Sequence, residues 1–75
     1  MATHHQSLPV IYSNPEILSG EPVFRGTRIP FQTLLDHVEE DGKKGLEEFL
    51  EGYDVARETA LAALRENNKL YLIAR

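Results

Sequence analysis

The stretch PVFRGTRIPFQTLLDHV, residues 22–38, contains the point at which the chain changes period. Ahead of Pro30, Val23 to Ile29 reads as a β-hairpin. Glycine at the first central position suits a type II′ turn, which needs positive φ there. With Gly26-Thr27 as the central pair, Arg25 and Arg28 face each other across the strands, and Pro22 and Pro30 limit the ladder. Beyond Pro30, Phe31, Leu34, Leu35 and Val38 fall at i, i+3, i+4 and i+7, the apolar stripe of an amphipathic helix.

Upstream of this stretch, residues 1–9 read as disordered. Val10-Ile11-Tyr12 is a short β-type run, Ser13-Asn14-Pro15 a turn, and Ser19-Gly20 a second break. Downstream, the first helix covers about 31–41 and stops at Gly42, with Lys43-Lys44-Gly45 as a loop. Leu46, Phe49, Leu50 and Tyr53 repeat the helical spacing, giving a second helix over about 46–52. Asp54 is a good N-cap for a third helix, over about 54–72, because its carboxylate can accept an orphan backbone N–H. Ala60, Leu61, Leu64, Asn68 and Tyr71 or Leu72 form its inner stripe, and Asn67-Asn68 weakens it locally. The fold expected is a mainly α, three-helix, homeodomain-like helix-turn-helix domain with a short N-terminal strand and hairpin.

The chain has 75 residues, no cysteine and a net charge of −4. That is one small domain, marginal alone, without disulfides or thiolate zinc. Association, most simply with a second copy, is the expected compensation. No run approaches the ~20 apolar residues of a membrane span, and Met1 to Ser7 has no signal-peptide pattern. A cytoplasmic protein is expected.

The paired arginines need an anion, since like charges opposed across a hairpin repel. Phosphate is one candidate, and the chain's own twelve carboxylates are another. Arg57 would lie in the first turn of the third helix, where recognition helices touch base edges. Against DNA stands the span from Leu34 to Glu51, with seven acids facing Lys43 and Lys44. His4-His5 lacks the i, i+4 spacing that aims two rings at one metal ion, and His37 reads as solvated. No nucleophile, paired-carboxylate or phosphate-loop arrangement stands out, so neither an enzyme nor a cofactor is expected. The apolar run Leu70-Tyr71-Leu72-Ile73 either packs on the core or forms a partner patch.

The segment NPEILSGEPVFRGTRIPFQTLLDHV, residues 14–38, resembles the DUF433 family, with Asn14, Pro15, Ile17, Gly20, Pro22, Val23 and the Arg25-to-Pro30 core all fitting its pattern. GLEEFLEGY and VARETALAAL resemble the family's continuation. One departure follows Tyr53: the family's Pro and Ser are missing, with Ala standing where Ser would cap. The resemblance implies a helix-turn-helix protein and a VapB-type antitoxin. Such a protein neutralises a PIN-like ribonuclease toxin and binds its own operator DNA as a homodimer. On that reading Arg25, Thr27, Arg28, Lys43, Lys44 and Arg57 touch DNA, while Leu70, Tyr71, Leu72 and Ile73 touch the toxin. The alternative is a protein-binding or assembly module that never meets DNA. Its arginines would hold the fold or dimer together.

Overall fold

In the computed structural model, residues 8–74 are described. Part of the expected disordered segment, residues 1–7, lies outside them together with His4-His5, whereas Pro9 offers its carbonyl to Arg25 Nε at 2.9 Å. Two short strands, β1 (Ile11–Tyr12) and β2 (Val23–Phe24), pair antiparallel, with Ile11 opposite Phe24 and Tyr12 opposite Val23. Two helices follow, α1 (Phe31–Gly52) and α2 (Arg57–Glu66), and then a 3-10 turn, Leu70–Ile73.

The strand β2 is central. Its far side bonds to the segment leading into α1: Phe24 N–H donates to the Ile29 carbonyl, and Phe31 N–H to the Pro22 carbonyl, both at 2.9 Å. The turn between them differs from the sequence reading by one residue. Thr27 N–H donates to the Phe24 carbonyl at 2.9 Å, so Arg25-Gly26 is the central pair. Gly26, at φ +82°, takes the third position, where a type II turn requires glycine. The Thr27 hydroxyl donates to the Phe24 carbonyl at 2.8 Å and accepts from Ile29 N–H at 2.9 Å, which fixes the arch. Arg25 and Arg28 consequently do not oppose each other.

The expected three-helix helix-turn-helix is not formed: the described residues hold two α-helices and a short antiparallel β element. Residues 31–41 and 46–52 belong to one helical element, with Lys43, Lys44 and Gly45 helical and a single non-helical residue, Gly42, at φ 58°, ψ −130°. The physical reason lies in EEDGKKG, residues 39–45, two turns without an apolar side chain. A straight helix would carry those turns past the core unsupported. Bending at Gly42 lets Phe31, Leu34 and Val38 on one arm share a core with Leu46 and Phe49 on the other. Glycine is required at both ends of the corner. A Cβ at Gly42 would sit 3.3 Å from the Leu72 carbonyl oxygen, and one at Gly45 would overlap the His37 carbonyl.

The third expected helix, 54–72, is shorter at both ends. Its N-cap is Ala56, with no capping side chain, so Asp54 does not cap it. Its C-terminus is a Schellman closure. Asn68 turns left-handed at φ 59°, Lys69 N–H donates to the Leu64 carbonyl at 2.7 Å, and Asn68 N–H to the Arg65 carbonyl at 3.2 Å. The asparagine pair, a weak spot by helix propensity, is the stop signal.

Phe24 and Phe49 are fully buried at the centre of the core, each stabilising by about 1.5–3 kcal/mol relative to exposure. Phe24 packs edge-on against Phe31 and tilted against Phe49, whose ring stacks on Tyr53 at 5.0 Å. His37 joins this cluster edge-on to Phe49 and Tyr53, its Nδ1 bonded to the Thr33 carbonyl at 2.8 Å, so the expectation of a freely solvated His37 is corrected. From α2, Ala60, Ala63 and Leu64 close the core, and Leu72 seals it from the C-terminal turn.

Candidate functional site

The arch at Gly26 and the segment 14–20 enclose an open groove of about 650 Å3 between β1 and the α1–α2 connection. Tyr12, Ile17 and Ile29 give it apolar walls, and Arg28 and Asp54 supply one charge of each sign. Segment 14–20 holds its wall with an unusual backbone: Leu18, Ser19 and Gly20 have φ of 49°, 57° and 88°. L-residues with side chains avoid this left-handed region, at roughly 1–2 kcal/mol each. Asn14 organises the entry, its carbonyl accepting from Ile17 N–H at 2.8 Å and its side-chain oxygen from Glu16 N–H at 2.9 Å. The turn leaves Leu18 46% exposed beside Ile17.

The six residues expected to meet DNA are scattered among separate local roles. Arg25 folds back on β1, its guanidinium 4.4 Å from the Tyr12 ring centroid and its Nε bonded to Pro9. Thr27 commits its hydroxyl to the arch. Both terminal nitrogens of Arg57 are held by Glu47, at 2.6 and 2.8 Å. That fork ties the start of α2 to the second arm of α1, and its hydrogen bonds hold the Glu47 carboxyl below its usual value. Lys43 and Lys44 are exposed on α1 just past the bend. Arg28 is exposed and forms no hydrogen bond or ion pair among the described residues.

The expected partner patch divides in two. Leu72 is buried at 6% exposure and Ile73 packs against the core, while Leu70 and Tyr71 remain 39% and 61% exposed. The groove residues Tyr12, Ile17, Ile29 and Asp54 do not stand out in the sequence as a site. They come from four separate segments and share no spacing. The Ser19-Gly20 break signals a turn, but nothing local shows which wall it builds.

A second concavity, lined by Asp36, His37, Glu40, Asp41 and Glu48, collects negative charge from both arms of α1. Among the described residues no group of three or more His, Cys, Asp or Glu is arranged to hold a metal ion. Among the same residues no helix is long and apolar enough to cross a membrane.

Residues 11–65 match a family described as protein of unknown function, DUF433. No curated protein and no solved structure matches the chain.

Proposed function

This chain belongs to the DUF433 family, and from that premise we propose that it acts as a protein-binding module. The observation that carries this reading is the division of labour in the C-terminal 3-10 turn. Leu72 is seated in the core and Ile73 packs against it, so the backbone that bears Leu70 and Tyr71 is anchored while their side chains stay exposed. Large apolar side chains held rigidly at a surface lose little entropy on docking and make effective anchors. The specific role implied by the family resemblance is that of an antitoxin, occluding a PIN-like ribonuclease without chemistry of its own. Operator binding is no part of this role, because the three-helix helix-turn-helix it required is absent among the described residues and Arg25, Thr27 and Arg57 have internal partners.

The test is co-expression with the product of the adjacent gene, followed by size-exclusion chromatography and a ribonuclease assay. A stable complex that silences ribonuclease activity is expected. Combined Leu70→Ser and Tyr71→Glu should weaken that complex by at least ~2 kcal/mol while shifting chain stability by ~0.5 kcal/mol or less. Full binding by the double variant would remove these residues from the interface. Truncation after Lys69 is a poorer probe, because it also takes Leu72 from the core.

A further inference from the structure

We propose that the groove is a self-recognition surface: a second copy of this chain docks on it across a two-fold axis, with Arg28 of each copy against Asp54 of the other. This is independent of the Leu70–Tyr71 patch. Charge is the deciding feature. Arg28 and Asp54 line one groove, yet no ion pair joins them, and neither has another polar partner among the described residues. Two of the other arginines are occupied, Arg25 by Pro9 and Tyr12 and Arg57 by Glu47.

The mixed sign selects the occupant. An acidic peptide drawn by Arg28 would meet Asp54, and a basic one drawn by Asp54 would meet Arg28. Nucleic acid drawn by Arg28 would meet Asp54 as well. A second copy related by a two-fold satisfies both charges twice, because an isologous interface brings each residue against its complement. Between the charges, Tyr12, Ile17 and Ile29 supply apolar surface. Leu18 and Tyr53, next in sequence to Ile17 and Asp54, are 46% and 40% exposed. A chain of 75 residues without cysteine gains stability from such burial.

The pairing has a specific signature in charge reversal. The wild-type chain should sediment as a dimer at low ionic strength. Arg28→Asp places two acids against each other across the axis, and Asp54→Arg two bases. Each variant alone should lose affinity for itself by at least about tenfold. Mixed in equal amounts, the two variants should recover a heterodimer. The introduced aspartate of one chain then faces the introduced arginine of the other, and the remaining Asp54 faces the remaining Arg28. Sedimentation equilibrium of the three samples reads this, with circular dichroism confirming that each chain is folded. Folded variants that stay dimeric alone, or stay monomeric when mixed, would overturn the proposal, as would a monomeric wild type. If charge reversal unfolds a chain, Arg28→Gln and Asp54→Asn replace it. Each should weaken the wild-type dimer several-fold, and an unchanged dissociation constant overturns the proposal.

Discussion

Gly42 and the Leu18–Gly20 turn both take the backbone through positive φ, and they do so under opposite conditions. At Gly42 the residue is glycine, the site is buried, and the Leu72 carbonyl oxygen lies 3.3 Å from where a Cβ would stand. At 18–20 two of the three residues are not glycine, and both of those, Leu18 and Ser19, are exposed. The first bend is demanded by the core and made at the residue for which it costs least. The second carries local strain of roughly 1–2 kcal/mol per non-glycine residue, with Leu18 left in solvent. Strain of this kind, away from the core, is where a surface function is expected to concentrate. The neighbouring Ile17 lines the groove.

Substitutions of opposite sign at these two places would break or sharpen the contrast. The largest effect is expected at the α1 corner. Gly45→Ala sets a methyl against the His37 carbonyl and should cost ~3 kcal/mol or more, read as a fall in the urea midpoint. An unchanged midpoint would mean that the two arms do not meet there. Next comes Gly42→Ala, which forces a side chain into φ 58°, ψ −130° and should cost ~1–3 kcal/mol in the same titration.

The left-handed turn should respond in the other direction. Ser19→Gly relieves the positive φ while gaining unfolded-chain entropy, for a net stabilisation of up to ~1 kcal/mol. A clear loss of stability in a thermal melt would show that the turn is not strained and would cancel the contrast with Gly42.

The smallest effect is expected at the Glu47–Arg57 fork, which is solvent-exposed. Glu47 has a lowered pKa in the folded chain. Its contribution is therefore fully present above the unfolded carboxylate value and is lost as pH falls through the lower folded value. Glu47→Gln should lower the melting temperature slightly at neutral pH, and the two chains should converge in acid. A difference that persists or widens in acid would assign the effect to something other than this carboxylate.

Local periodicity locates much of the core. Phe31, Leu34 and Val38, then Leu46 and Phe49, then Ala60 and Leu64 are legible as helical stripes and are buried. The same periodicity splits α1 at Gly42, where the backbone does leave helical geometry, but Lys43, Lys44 and Gly45, which read as a loop, are helical. Periodicity reports which residues seek the core, not whether the chain between them unwinds. The one-residue shift of the arch has a similar origin. A lone glycine fits either central position of a hairpin turn, and the choice falls to Thr27, whose hydroxyl closes on Phe24 and Ile29.

The candidate site is less legible still. Arg28 stands out in the sequence, but so do Arg25 and Arg57, and what separates them is a partner supplied from elsewhere in the chain: Pro9 and Tyr12 for one, Glu47 for the other. The sequence by itself determined the apolar stripes, the glycines at which the backbone turns and the acidic character of α1, since these depend on side chains a few residues apart. Only the tertiary structure decided which charges stay unpaired and which side chains stay outside. Those outcomes depend on contacts between distant segments, as when Tyr12, Ile17, Arg28 and Asp54 come to line one groove.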